Sequence, residues 1–280
     1  MPPVRTPHII SVVEVVFFGE RYPAVLGVWD GEVYCLDILR DSSEETCGAF
    51  LKTLNANQVE TIYVDPVDSL FNAVNQYFPM ASIVVTDEAI RRYARNVMLD
   101  IIHSDGKRFP VVHKDRRLTV LHRDLDDRTV IPRIKEGMKS RPRLQQAYTH
   151  HQRLLELMET KWSMEDLRTW ADQIPAEVDE FWAVGDIIDI FGEQLSGFLI
   201  LGEKPPKNYQ FAVQGICDAI KDMPHCIFDV MRGRCIFSIT HDTMEENGEL
   251  WRYGIKSSRL IEKINEISAN IREERDYGYQ

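Results

Sequence analysis

Three absences narrow the class of protein before any motif is considered. The 280 residues include only five cysteines, an odd number, and no two of them have the Cys-x-x-Cys spacing of a zinc ribbon or redox site. No apolar run approaches the roughly 20 residues of a membrane span, and the N-terminal residues form no apolar signal segment. We therefore expect a cytoplasmic protein with no disulfide framework, no zinc ribbon and no membrane segment.

The chain also lacks an excess of positive charge. Lys and Arg number 33 against 44 Asp and Glu, a net charge of -11, which argues against a protein that covers nucleic acid over its whole surface. The charge is uneven, because residues 104–161 hold 14 Lys and Arg against 8 Asp and Glu (+6), whereas the remainder holds 19 against 36 (-17). We call residues 104–161 the basic segment. It is either a solvated helical surface or a surface that contacts DNA, through Arg116, Arg117, Arg141 and Arg143.

The first hundred residues alternate between strand and helix patterns. Short apolar runs predict strands at 8–17, 22–29, 32–39, 61–64 and 81–85. Asp30-Gly31 is a hairpin signal, and Ser42 followed by Glu45 predicts a capped helix. Further helices are expected from about Asp68 and from Thr86. The resulting order, βββαβαβα, is the one that an RNase H-like α/β fold requires.

After residue 106 the pattern changes to amphipathic helices. We predict an RNase H-like core over residues 1–105, a mostly helical insertion with a short hairpin over 106–256, and a C-terminal helix over 257–280 that returns to the core. The hairpin is expected around Arg232-Gly233, and residues 241–256 have a polar, loop-like pattern. His150-His151 is interpreted as helix surface rather than as a metal site, because no cysteine lies nearby.

One carboxylate stands where RNase H-like nucleases hold catalytic metal ions. These enzymes bring together three carboxylates, from the first strand, from the end of the fourth strand and from a later helix, and together they bind two divalent cations. Asp65 ends the predicted fourth strand. Aspartate at the end of a strand also forms turns, so its position alone leaves both roles open.

A longer stretch around Asp65 carries a family resemblance. Residues 65–84 fit, without a gap, the spacing of the pattern Asp-Met-Trp-x-x-Tyr-x-x-Ala-Val-x-x-x-Phe-Pro-x-Ala-x-Ile-Val. The shared residues include Ala73-Val74 and Phe78-Pro79, whereas Pro66-Val67 replaces Met-Trp. Residues 257–265 are similar to a second pattern, Ser-Asn-Gly-x-x-Glu-Gly-x-Asn. Both patterns occur in this order in bacterial DDE transposases of the ISL-three family, which this chain therefore resembles.

The resemblance implies a catalytic site, and the sequence departs from it. A family member would use Asp65 and Glu262 as metal ligands, with Mg²⁺ or Mn²⁺ as cofactor. The family's first carboxylate lies in an Ile-Asp-Glu triplet on the first strand. Here Glu14 matches the glutamate, and Val13 (or Val12, if the gap shifts) stands at the aspartate. A valine cannot coordinate a cation, so the sequence predicts an inactive relative, with no cofactor, retained to bind nucleic acid or protein.

Two alternatives stay open at this point. The chain would be an active metal-dependent DNA strand transferase if a β-bulge turned Glu14 toward Asp65 and Glu262. Nicking that requires Mg²⁺ or Mn²⁺ and is lost in Asp65→Ala would support that alternative. The chain would instead be a dimeric interaction scaffold if the apolar stripe on the last helix faced a second copy. That stripe consists of Leu260, Ile264, Ile267 and Ile271.

Overall fold

The computed structural model describes residues 4–17, 20–106, 138–201, 207–221, 232, 242–246 and 248–277. The described residues include seven strands: β1 Ile9–Phe17, β2 Glu20–Trp29, β3 Glu32–Ile38, β4 Thr61–Val64, β5 Ser82–Val84, β6 Asp242–Glu246 and β7 Glu249–Lys256. They form one sheet in the order β5-β4-β1-β2-β3-β7-β6.

The sheet combines the two kinds of pairing that the sequence predicts. β1, β2 and β3 are antiparallel neighbours, whereas β1, β4 and β5 are parallel neighbours. At the turn between β2 and β3, Asp30 and Gly31 have φ angles of 51° and 78°, which identifies the predicted tight hairpin. This arrangement confirms the predicted RNase H-like α/β fold.

The helices follow the predicted order with small differences at their ends. Their bounds are α1 Glu44–Leu51, α2 Asp68–Tyr77, α3 Asp87–Gly106, α4 Pro142–Glu159, α5 Met164–Asp172, α6 Trp182–Ile190, α7 Gly192–Leu201, α8 Lys207–Lys221 and α9 Ser257–Tyr277. A 3-10 helix, Ala176–Phe181, leads into α6. The N-cap of α1 is Ser43 and not the predicted Ser42: the Ser43 hydroxyl accepts a hydrogen bond from the Thr46 amide. The Ser42 hydroxyl donates instead to the Glu14 carboxylate.

The chain divides into two compact units. The sheet unit contains Met1–Val85 and Gly202–Gln280, and the helical unit contains Thr86–Leu201. These divisions differ from the predicted boundaries at 105/106 and 256/257. The reason is packing: α3 lies against α4 and α6, whereas α8 lies against β1 and β3, and β7 pairs with β3.

The interpretation of residues 241–256 as a loop is wrong. They contain the antiparallel pair of β6 and β7, whose turn includes Gly248 at φ 81°. Gly254, at φ 98°, lies so close to β3 that an added Cβ would stand 2.6 Å from the Cys35 carbonyl oxygen. The hairpin predicted around Arg232-Gly233 lies outside the described residues, apart from Arg232, whose guanidinium binds both carboxylate oxygens of Asp37.

The apolar stripe on the last helix, which the scaffold alternative assigns to a dimer interface, packs within its own chain. Leu260, Ile264 and Ile267 are almost completely buried, and α9 packs against α8, β3 and β7 of the same chain. Ile271 lies on α9, but its side chain is outside the described set. Because the stripe closes the interior of the sheet unit, its described side chains are not exposed to a second copy.

Candidate active site

The register between β1 and β4 places Val13 next to Asp65. The two strands pair in parallel up to Val12 and Val64. The next rung continues the ladder, because the backbone amide of Asp65 donates to the carbonyl oxygen of Val12 at 3.0 Å. Val13 and Asp65, to which the resemblance assigns the positions of the first and second carboxylates, therefore lie side by side.

Val13 faces α8, in an apolar layer. Ser11, two residues earlier on β1, forms a hydrogen bond with the Tyr209 hydroxyl of α8, and the Tyr63 ring of β4 lies 5.7 Å from the Tyr209 ring. Side chains alternate along a strand, so Val13 shares the face of Ser11. Val13 is 3% exposed, and α8 contributes the buried side chains Ala212, Val213 and Ile216 to the unit's interior.

The Asp65 carboxylate serves the backbone of β1. Asp65 is buried, and its Oδ2 atom accepts the backbone amide of Glu14 at 2.6 Å. Its own carbonyl oxygen accepts the Val67 amide at 2.7 Å, which forms the turn that leads into α2. These contacts satisfy backbone groups at the point where β4 ends. The structure thus gives Asp65 a structural role at the position predicted for a metal ligand.

Glu14 lies on the opposite face of the sheet from Val13. The pairing of β1 with β2 runs without a register shift from Ile9 to Phe17, so the bulge that would turn Glu14 toward the Val13 side is not observed. The Glu14 carboxylate accepts the Ser42 hydroxyl at 3.2 Å and pairs with Arg21 at 3.2 Å. Two partners on that face therefore hold Glu14 away from α8.

Glu262 is exposed on the outer side of α9, opposite the buried stripe. Within the described parts of the chain, no three His, Cys, Asp or Glu side chains are close enough together to hold a metal ion. A two-metal site needs a carboxylate that bridges both ions, together with further oxygen ligands. Val13 offers no ligand, the Asp65 carboxylate accepts a backbone amide, and Glu14 lies on the other face of the sheet. The described residues therefore do not fit the Mg²⁺ or Mn²⁺ that the family resemblance implies.

Two of the four arginines proposed to contact DNA are described. The Arg143 guanidinium donates to the Glu177 carbonyl oxygen at 2.8 Å and forms an ion pair with Glu180. Arg141 directly precedes α4 and is half-buried. Part of this charge is therefore compensated inside the helical unit. Arg116 and Arg117 lie outside the described residues.

The interpretation of His150 and His151 as helix surface is wrong. They are 2% and 1% exposed, and His150 stacks on Trp170 with ring centroids 4.4 Å apart. Burial lowers the pKa of both imidazoles from 6.5 to about 4, helped by Arg153 for His150, and by Arg95 and then His150 for His151. Both histidines lie three or four residues from the buried Ala147 and Leu154, so they share the buried face of α4, and this apolar spacing is the sequence signal that indicates an interior position.

Comparison with known protein families identifies the family of the chain. No described helix is long and apolar enough to cross a membrane. No curated protein matches the chain. A transposase family model, that of the DDE domain of ISL-three elements, matches residues 18–191, which is more than half of the chain. Together with the RNase H-like sheet, this match shows that the chain belongs to the DDE transposases of the ISL-three family.

Proposed function

We propose that this transposase relative binds nucleic acid without cutting it. The observation that carries the proposal is that Val13, not a carboxylate, lies next to Asp65 where β4 ends beside the middle of β1. In two-metal phosphoryl transfer, the ions activate the attacking oxygen and stabilise the leaving oxygen. Without a bridging ligand, two such ions would lack a shared anchor, and we would expect little or no strand cleavage.

The alternative of an active strand transferase depends on Glu14. For Glu14 to replace the missing aspartate, its side chain would have to leave Ser42 and Arg21 and cross to the other face of β1. That movement would require a one-residue shift in a strand that pairs on both sides, and such a shift would move every neighbouring side chain to the wrong face. The geometry therefore favours loss of cleavage.

The basic segment supports the binding part of the proposal. It carries +6 within a chain whose remaining residues carry -17, so phosphate contacts are expected to concentrate there. Arg143 shares its charge with Glu180, which lowers its expected contribution relative to an arginine without an acidic partner. Weak, strongly salt-dependent binding is expected, because each phosphate contact releases counterions.

Alanine substitution of the four arginines of the basic segment is expected to lower DNA affinity at least about 10-fold near 0.1 M salt, and to flatten the dependence of log Kd on log salt by roughly one unit per lost phosphate contact. Fluorescence anisotropy with a labelled duplex measures both quantities. The variant carries Arg116→Ala, Arg117→Ala, Arg141→Ala and Arg143→Ala.

A control variant removes the same charge from exposed positions outside the basic segment. It should bind DNA within about 2-fold of the unchanged chain, since only long-range electrostatics are altered. Equal losses in the two variants, or no loss in either, would contradict binding through the basic segment. The control carries Arg40→Ala, Lys52→Ala, Arg168→Ala and Arg259→Ala.

A further inference from the structure

Helix α6 in the helical unit exposes two large apolar side chains. Trp182 is 55% exposed and Ile190 is 63% exposed, whereas Val184 and Ile188 of the same helix are fully buried. The buried side of α6 packs against α3, α5 and α7. Single exposed apolar residues are common on protein surfaces, but here a tryptophan and an isoleucine are both exposed, one at each end of the same short helix.

The exposed residues lie on one face of the helix. Trp182 and Ile190 are eight residues apart, which is slightly more than two turns, and Asp186 stands four residues from each of them. Asp189 lies beside them and is also exposed. We call these four residues, Trp182, Asp186, Asp189 and Ile190, the α6 face: two carboxylates flanked by an indole ring and an aliphatic side chain.

The surrounding chain is acidic. Residues 169–201 contain seven Asp and Glu and no Lys or Arg. The ion pair that the structure records for these carboxylates joins Glu180 to Arg143, and Glu180 is not part of the α6 face. Asp186 and Asp189 therefore give the α6 face a negative charge of its own, next to its two exposed apolar side chains.

This combination selects one chemical class of partner. Nucleic acid and anionic lipid carry negative phosphates, which the carboxylates repel. A second copy that presented the same α6 face would bring Asp186 and Asp189 against their own equivalents. A cationic amphipathic helix fits instead, because its aliphatic residues would cover Trp182 and Ile190 while its Lys or Arg side chains reach the two aspartates. The indole ring offers the same cations a favourable face.

We propose that the α6 face is a docking site for a cationic amphipathic helix of a protein partner. The residues of the α6 face are not part of the basic segment, and their charge is opposite to that of the arginines proposed to contact DNA. The indole and the isoleucine supply the apolar anchors, and the aspartates supply charge complementarity and orientation.

The test uses the full chain and a fluorescein-labelled 18-residue helix of leucine and lysine, arranged so that the leucines share one face. Anisotropy titration should give saturable binding that weakens at least about 10-fold in Trp182→Ser/Ile190→Ser, since exposed anchors account for most of the energy of such interfaces. Both positions are exposed, so the variant should keep its circular dichroism spectrum. Asp186→Asn/Asp189→Asn, which keeps the apolar anchors, should weaken binding about 5-fold or more.

A matched control separates a docking site from general attraction to an acidic protein. Glu156→Gln/Glu159→Gln removes the same charge from exposed positions on α4 and should leave the affinity within about 2-fold, because solvent-exposed charges at a distance are screened. Losses of equal size in the α4 and α6 charge variants would overturn the proposal, as would unchanged affinity in Trp182→Ser/Ile190→Ser. A leucine-glutamate helix of the same design should not bind, and binding of it would also overturn the proposal.

Discussion

Lowering the pH from about 6.5 to about 4 is expected to destabilise the helical unit by several kcal/mol. His150 and His151 are neutral in the folded chain because burial lowers the pKa of each ring to about 4. In the unfolded chain both rings would titrate near 6.5. Between these values the unfolded state binds more protons than the folded state, so the free energy of unfolding falls as the pH falls and is fully retained above about 6.5.

The expected size of this effect follows from the two pKa values. A difference of roughly 2.5 units corresponds to about 3 kcal/mol for each ring. His150 Nε2 and both ring nitrogens of His151 are buried without a hydrogen-bond partner, so no acceptor is present to stabilise the protonated form. Trp170 and Phe181 surround the rings with aromatic carbon.

Thermal unfolding followed by circular dichroism at pH 7, 6 and 5 measures this decline. The variant His150→Phe/His151→Phe keeps aromatic rings at both positions and removes the titrating groups, so its unfolding temperature should depend much less on pH. The control His8→Phe replaces an exposed histidine beside Glu60 and should decline like the unchanged chain. An equal decline in the double variant would assign the acid sensitivity to other groups.

Val13→Asp is expected to destabilise the sheet unit by about 3–5 kcal/mol at pH 7, because it buries a carboxylate in an apolar layer beside Asp65. Val13 is 3% exposed, and the neighbouring Asp65 oxygen already accepts the Glu14 amide. The introduced group gains no cation to offset its desolvation. Urea denaturation monitored by tryptophan fluorescence measures the change.

Val13→Asn is the matched control, since it has the same shape and no charge. The two variants should differ by about 2 kcal/mol or more at pH 7 and become equally stable below about pH 4. Burial raises the pKa of the introduced carboxyl, so its penalty develops as the pH rises above the unfolded value of about 3.9. Equal stability of the two variants at pH 7 would contradict an apolar environment around Val13.

Patterns of neighbouring residues predicted the parallel part of the fold well. α2 begins at Asp68 and ends at Tyr77, as expected from the Asp65-Pro66 turn before it and Pro79 after it. The strands before it follow apolar, β-branched runs with clear turn residues between them. These local signals agree with the packing in the sheet unit, which is why the order of strands and helices along the chain could be predicted from them.

Surface and interior were harder to distinguish at the ends of the sheet and inside the helices. β6 lies at the edge of the sheet and is rich in acidic residues, which is how proteins protect edge strands from aggregation. The same composition resembles a loop, although Asn247-Gly248 is a hairpin signal. At His150-His151, side-chain chemistry suggested the surface, whereas the spacing of apolar residues along α4 marked the interior.

The contacts that fix the side chain of Glu14 could not be predicted from residue spacing. The family resemblance assigns Val13, or Val12 if the gap shifts, to the lost aspartate, and the strand register places Val13 next to Asp65. The hydrogen bond from the Glu14 amide to Asp65 and the contacts of the Glu14 carboxylate with Ser42 and Arg21 form only once β1, β2, β4 and the segment before α1 have come together. These tertiary contacts, not residue type, separate Glu14 from the face where a metal ligand would be needed.

The most direct test of the account is a plasmid-nicking assay with the purified full chain in Mg²⁺ and in Mn²⁺. The account predicts that conversion of supercoiled to open-circular DNA is no faster than with Asp65→Ala, which removes the carboxylate that follows β4 and lies beside Val13. Nicking that depends on Mn²⁺, exceeds that background and disappears in Asp65→Ala would contradict the account and show that the site still cleaves DNA.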